Sequence, residues 1–341
     1  MDLPTIWFLL WGLLWAVYFV TDGFDLGIGT LLPFMGKSDT ERRIMYDVMG
    51  PLWDGNEVWL ITAGGVTFAA FPKTYAVMFS SLYTPLMLLL FALILRGVSF
   101  EFRSKVENPT WRKMWDGFAF LGSLVPALLL GVAFANIFKG IAIDGMGIYQ
   151  GTLFTLLNPY GLLGGVFFLT FFLVHGSIWL AVKTEGDLHD RALKTAHGLW
   201  WVLLGAAVAL ILAGAFATRL YDNYLAHPAL FLVLAFTVVC LLGVKFYLAK
   251  GRLWKAWFSS ALTIVGATFY GIVGLYPNML PSSIDPAYNV TVYNAASSPK
   301  TLTIMFVLAV IFTPVVLLYQ FWAYRLFKAK VTEEDLTYDE A

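Results

Sequence analysis

The sequence predicts an all-α integral membrane protein that crosses the bilayer nine times. Three observations carry that expectation. Only 13% of the 341 residues are charged and 59% are apolar, where a soluble globular domain has about 25% charge. The mean hydropathy is +0.74. The apolar residues form unbroken runs, such as Val77–Leu95, Phe118–Ile137, Leu162–Val182, Leu199–Ala217 and Ala229–Leu248, whereas strands of an outer-membrane barrel would alternate apolar and polar. The same composition excludes disorder. The lone cysteine, Cys240, excludes a disulfide scaffold. Zero net charge with no basic block excludes a nucleic-acid binder. The first apolar run has neither a basic region before it nor a small-residue cleavage site after it, so no cleaved signal is expected.

A span needs roughly 20 apolar residues to cross about 30 Å of hydrocarbon at 1.5 Å per residue. The expected spans are 5–35, 45–71, 75–100, 115–138, 160–183, 197–219, 229–249, 254–276 and 301–327, in a single membrane domain, 1–341. The first exceeds one straight crossing, so it tilts or projects. The second contains Pro51, Asp54 and Glu57, and only Val58–Phe71 is cleanly apolar. The two longest connections away from the basic side are Tyr276–Lys300 and Lys139–Pro159, neither large enough for a domain. The tail Val331–Ala341, with Glu333, Glu334, Asp335, Asp339 and Glu340, is expected to be a solvated end. With nine spans, 18 of the 22 Lys and Arg fall on one side, and only Lys73, Lys139, Arg219 and Lys300 on the other. The positive-inside rule then puts the N-terminus outside and the C-terminus in the cytoplasm.

Ionisable residues inside spans are costly and point to function. Asp22 and Asp25 sit three apart in the first span and Asp54 and Glu57 three apart in the second, so each pair shares a helix face. Asp22 lies about 25 Å from the outer end of its helix and Asp54 about 15 Å from the inner end of its own, which puts both pairs in the inner half. Consecutive spans are neighbours as a rule, so the pairs are expected to face each other. Four carboxyls cannot all ionise there without cations or water. Two readings follow: a proton or cation path open to the cytoplasm, or helix-end carboxyls bonded to backbone or to Arg42 and Arg43. Gly23, Gly27 and Gly29 follow Asp22, and Ala63, Gly64 and Gly65 follow Glu57, and such residues let helices pack closely in lipid. The histidines are His175, His189, His197 and His227. His175 and His197 differ in depth by about 12 Å, which argues against a shared haem iron. No Cys cluster, P-loop or nucleotide fingerprint is present, so no catalytic, cofactor-binding or metal-ligating residue is assigned to this chain.

Several strings are specific. Thr21-Asp22-Gly23-Phe24-Asp25-Leu26-Gly27-Ile28-Gly29, Asp39-Thr40-Glu41-Arg42-Arg43-Ile44-Met45 and Trp53-Asp54-Gly55-Asn56-Glu57-Val58-Trp59 come first. Phe102-Arg103-Ser104-Lys105, Trp111-Arg112 with Trp115-Asp116, Gly131-Val132-Ala133-Phe134, Asn158-Pro159-Tyr160-Gly161 and Pro281-Ser282-Ser283 follow in order. Together they resemble subunit II of cytochrome bd quinol oxidase, over nearly the whole chain. The resemblance implies two four-helix bundles plus one peripheral helix in the bacterial cytoplasmic membrane. It also implies a pseudo-symmetric partner, subunit I, that carries two b-type haems and one d-type haem, oxidises quinol and reduces oxygen to water. It leaves room for a small single-span third subunit and for a structurally bound quinone or lipid. Carried over by motif, Asp25 and Asp54, with Asp22 and Glu57 nearby, are expected to line a proton route from the cytoplasm to the haems. The rival reading is a proton- or cation-coupled secondary transporter, which calls for an inverted repeat and broken helices.

Overall fold

The computed structural model describes residues 1–336; Asp339 and Glu340 of the acidic tail lie outside the described residues. The helices are α1 (Leu3–Met35), α2 (Asp39–Met49), α3 (Trp53–Ala70), α4 (Pro72–Ser81), α5 (Tyr83–Phe102), α6 (Pro109–Lys139), α7 (Leu153–Leu156), α8 (Pro159–Lys183), α9 (Gly186–Ala217), α10 (Leu220–Ala226), α11 (Phe231–Ala249), α12 (Leu253–Leu275), α13 (Val292–Ala295) and α14 (Pro299–Leu326). Their starts follow the sequence. Ser38, Asn108, Asn158 and Ser298 each accept a first-turn backbone N–H through the side chain, and Pro109, Pro159 and Pro299 take the first helical position.

Eight helices among the described residues are long and apolar enough to cross a membrane: α1, α5, α6, α8, α9, α11 with the short turn before it, α12 and α14. The protein is thus an all-α, multi-pass membrane protein. α3 has 18 residues but carries Asp54 and Glu57 at its start, which lowers its apolar character. Two expected spans are each built from two helices. Segment 45–71 is interrupted around Pro51, between α2 and α3, and segment 75–100 is interrupted at Leu82, between α4 and α5. The cause at Pro51 is the missing backbone donor and locked φ of proline.

α1 packs against α3, α6, α8 and α12, and α8 against α6, α9 and α12. Side-chain bonds set the directions. Trp11 bonds Thr67 near one end of α1 and Asp25 bonds Asn56 nearer the other, so α3 runs antiparallel to α1. Trp7 bonds the Leu302 carbonyl and Tyr324 lies at the level of Asn56, so α14 runs parallel to α1. The tightest seam is α1 on α8. A Cβ on Gly27 would lie 2.0 Å from the Phe172 carbonyl oxygen, and one on Gly176 2.8 Å from the Phe24 carbonyl oxygen. Gly64 and Gly65 do not pack in this way. Gly65 has nothing within 4 Å of its Cβ position, and both line an apolar groove with Leu60, Phe68 and Phe79.

The two ends of the molecule differ. At one end the two longest connections join. β1 (Asn278–Leu280) pairs antiparallel with β2 (Val290–Thr291), and Ile141 bridges to Ser282. Gly140, at φ 98°, makes the turn out of α6 that allows this bridge. The other end holds most of the arginines and is called the basic end below.

Candidate functional site

α1 advances about 100° per residue, so Asp22 and Asp25 fall on one face while Gly23 and Gly27 fall on the face toward α8. Both acids are fully buried. Arg96, from α5, meets them at 1% exposure. It gets there because α5 lies close on α6: a Cβ on Gly122 would sit 2.7 Å from the Arg96 backbone nitrogen. Arg96 Nη2 donates to Asp22 Oδ1 at 2.6 Å and lies 3.4 Å from Glu57 Oε2.

Asp25 is held differently. Asn56 Nδ2 donates to Asp25 Oδ2 at 2.7 Å, and the Tyr324 hydroxyl of α14 donates to Asn56 Oδ1 at 2.7 Å. One turn earlier on α14, Gln320 Nε2 donates to the Gly55 carbonyl at 3.2 Å and Gln320 Oε1 accepts from Trp59 Nε1 at 3.2 Å. The buried face of α3 is Asn56, Trp59, Ala63, Thr67 and Ala70. Asn56, rather than either acid, is therefore the residue that α3 aims into the bundle. Glu57 reaches the cluster from the edge, half-buried, and Asp54 is exposed.

Asp22 and Glu57 thus share one guanidinium, and Asp25, one turn along α1, is held by Asn56. A single Arg96 charge balances one carboxylate. The surplus can be carried only by taking up a proton or by admitting water or a cation. Asp22 Oδ2, Asp25 Oδ1, Arg96 Nε and Nη1 and the Tyr18 hydroxyl are buried without a hydrogen-bond partner. The cluster lies one turn inside the start of α3 and the end of α14, so it is shallow from the basic end.

A second charged assembly lies at that end. Asp116 accepts from Arg103 Nε at 2.6 Å and from Arg42 Nη1 at 2.9 Å. Asp39 accepts from Arg103 at 2.7 Å and from Arg112 at 2.9 Å, and Glu41 from Arg191 at 2.5 Å. Partial burial pushes the Asp39 carboxyl up, but Arg103, aided by Arg112, outweighs it and holds Asp39 below its ordinary value. Glu41 is lowered in the same way, chiefly by Arg191 against partial burial. Arg42 therefore serves Asp116 and not the buried acids.

The histidines are engaged in hydrogen bonds. His175 is fully buried, with Nδ1 3.0 Å from Ser260 Oγ and Nε2 3.0 Å from the Val20 carbonyl. His197 Nδ1 lies 3.3 Å from Lys245 Nζ. Both ring nitrogens of His175 are engaged, so it does not fit as a haem ligand.

The sequence model of the family described as "Cytochrome bd terminal oxidase subunit II" matches residues 3–327. The chain belongs to that family. It is 38% identical to the "Cytochrome bd-I ubiquinol oxidase subunit 2" of Escherichia coli (strain K12), over 97% of this chain and 96% of the relative. It is 37% identical to the "Cytochrome bd ubiquinol oxidase subunit 2" of Bacillus subtilis (strain 168), over 99% of both. Among solved structures, a chain of the bd oxidase from Geobacillus thermodenitrificans superposes with a TM-score of 0.80, covering 96% of this chain and 99% of that one. At 18% identity this likeness bears on the fold alone.

As a cytochrome bd oxidase subunit II, the chain brings its scattered specific strings to a few places. Asp39, Arg42, Arg103, Arg112 and Asp116 come from three strings and make one ion network, beside which Glu41 pairs with Arg191. Asp22, Asp25, Asn56 and Glu57 come from two and make the buried cluster. Asn158 Nδ2 donates to Asn136 Oδ1, and Ser283 N to the Ile141 carbonyl. Four site residues escape a reading that looks for acids: Arg96, Asn56, Gln320 and Tyr324. Arg96 counts in the charge tally as a residue of the basic side, yet it is a bundle residue. The available signal is its place after Leu93-Ile94-Leu95, still inside an apolar run.

Proposed function

We propose that this chain, as subunit II of a bacterial cytochrome bd-type quinol oxidase, brings protons from the cytoplasm toward haems carried by a partner subunit I. In this reading α3 is the ninth span. α1, α3, α5 and α6 form one four-helix bundle, α8, α9, α11 and α12 the other, and α14 stands at the periphery. The pairings of α1 with α3, α5 with α6, α8 with α9 and α11 with α12 support that division, and α1 and α6 pack on α8 across it. The N-terminus lies outside and the basic end faces the cytoplasm, as the 18 of 22 positive residues on that side support. Quinol oxidation and oxygen reduction belong to subunit I, with its two b-type haems and one d-type haem.

The single observation that carries the reading is a cluster of three membrane-level carboxyls with one guanidinium: Asp22 and Glu57 on Arg96, and Asp25, one turn along α1, on Asn56. A fixed structural ion pair has no use for the surplus. A proton relay does, because each carboxyl can take up and release a proton where hydrocarbon offers no other acceptor. Asp54, exposed two residues before Asn56, stands at the mouth. Asp25 comes next, and Asp22 with Glu57 and Arg96 lies deeper. Reduction of oxygen to water consumes protons. Taken from the cytoplasm while quinol releases its own outside, they separate charge across the membrane without a pump.

The test is Asp25→Asn in the complete oxidase. Asn keeps size and hydrogen bonding but cannot carry a proton. Turnover per haem d is expected to fall about ten-fold or more, with haem content and assembly intact, and Asp25→Glu to retain more activity than Asn. Wild-type turnover in Asp25→Asn at full haem content would make the acids structural and move the proton path into subunit I.

A further inference from the structure

We infer that Tyr324 is a positioning residue for Asp25, acting through the Asn56 amide; the inference rests on the proton-route reading above. An Asn side chain offers an acceptor at one end and two donors at the other, on a frame that turns over with little change of shape. Which end faces Asp25 is therefore not fixed by Asn56 itself. The Asp25 carboxylate, which only accepts, selects the NH2 end, and the Tyr324 hydroxyl holds the amide in that orientation. It donates to Asn56 Oδ1 at 2.7 Å, so that only the NH2 end is left for Asp25 Oδ2, also at 2.7 Å. If the amide turned over, its oxygen would meet a carboxylate oxygen at that distance with no proton between them. With Oδ2 committed as an acceptor, Asp25 Oδ1, buried and without a partner, is the oxygen left to carry a proton.

α14 is otherwise a lightly attached helix. In its most apolar stretch only 6% of residues are buried, and its outward side chains, such as Leu308, Phe312, Val315 and Leu318, are exposed. Yet it is secured around Tyr324. Gln320 bonds Gly55 and Trp59 one turn earlier. Trp179 meets the Tyr324 ring at 6.1 Å and 65° and Phe24 at 6.5 Å and 88°. Just past the helix, buried Lys183 donates to the Phe327 and Ala329 carbonyls. Gln320, Trp179 and Phe24 hold the hydroxyl at the height where it meets the amide, whereas Lys183 secures only the chain beyond the helix.

The test compares Tyr324→Phe, Asn56→Leu, the double variant, Lys183→Gln and Asp25→Asn in the intact oxidase complex. It reads turnover, quinol KM, haem content and the infrared difference bands of protonated carboxyls on redox cycling. Asp25→Asn identifies the Asp25 band. Tyr324→Phe is expected to lower kcat about five-fold, the worth of one lost hydrogen bond, with KM and haem content unchanged and the Asp25 band shifted. In the Asn56→Leu background the Phe substitution should add nothing, because the amide it acts through is gone. Lys183→Gln, which loosens only the chain beyond the helix, should leave the band in place. Full turnover with an unshifted band in Tyr324→Phe, additive effects in the double variant, or the same band shift in Lys183→Gln would overturn the inference. So would failed assembly of Tyr324→Phe, since an amide-orienting hydroxyl is not needed to hold the helix. If Asp25→Asn alone turns over normally, the proton-route reading falls and the band alone decides the role of Tyr324.

Discussion

The molecule carries two charged assemblies within a few helical turns of each other, and they are built on opposite plans. At the basic end, Asp39, Asp116 and Glu41 each accept from at least one arginine, and Arg42, Arg103, Arg112 and Arg191 supply more positive than negative charge. In the buried cluster the ratio is reversed: Asp22 and Glu57 share Arg96, and Asp25 rests on Asn56. A network whose acids are all paired gains from staying still. One with surplus carboxyls at membrane level can change its protonation. On the proton-route proposal the comparison separates a clamp from a relay, although both use the same residue types.

The largest expected break of that contrast is Asp116→Ala. It strips both Arg42 and Arg103 of a partner at a site where the Asp116 side chain is 6% exposed, a loss of about 3–5 kcal/mol. Thermal stability and yield of the complex should fall while turnover per assembled haem stays close to wild type. A slowed but fully stable complex would erase the distinction between clamp and relay. Asp54→Asn is the next test. Asp54 is exposed and its loss leaves the bonded members of the cluster in place, so turnover should fall only about two-fold, well short of Asp25→Asn. An effect as large as that of Asp25→Asn would place the narrow point of the route at the mouth.

The smallest effect is acid release of the clamp. Asp39 and Glu41 are held below their ordinary values by their arginines. Their contribution is therefore complete above about pH 4 and is lost as pH falls below it, through their lowered folded values. Hydrogen exchange of α2, followed by mass spectrometry, should be flat from pH 8 to 5 after correction for intrinsic rates and quicken below about 4. Quickening already between pH 8 and 6 would assign the clamp to other groups.

Much of the fold is legible because lipid imposes long apolar runs, and the eight long apolar helices follow those runs. The break at Leu82 is harder to read, since it falls inside the apolar run Val77–Leu95, whereas Pro51, Asp54 and Glu57 mark the other. Asp22, Asp25 and Glu57 are legible as charge out of place. Asn56 and Tyr324 carry no charge, so nothing in composition distinguishes them. Their importance lies in whom they meet, and Tyr324 comes from a helix 268 residues away along the chain. Arg96 hides for the opposite reason: it resembles the many basic residues that end apolar runs, and only the close approach at Gly122 brings it inside.

The glycine seam between α1 and α8 has an electrical consequence. Asp22 and Asp25 lie on one face of α1. On the opposite face Gly27 meets the Phe172 backbone with no room for a Cβ, and beyond it lies a cavity of ≈ 100 Å³ walled by rings such as Phe19, Phe168, Phe172 and Phe134. Water and side chains are both shut out of that seam, so α1 acts as insulation between the acids and the aromatic half of the subunit. A wire carrying protons is useful only if it is sheathed. If the acids carry protons as proposed, a lateral leak would discharge the membrane through this subunit, and two glycines brought into backbone contact are the thinnest sheath a polypeptide can make.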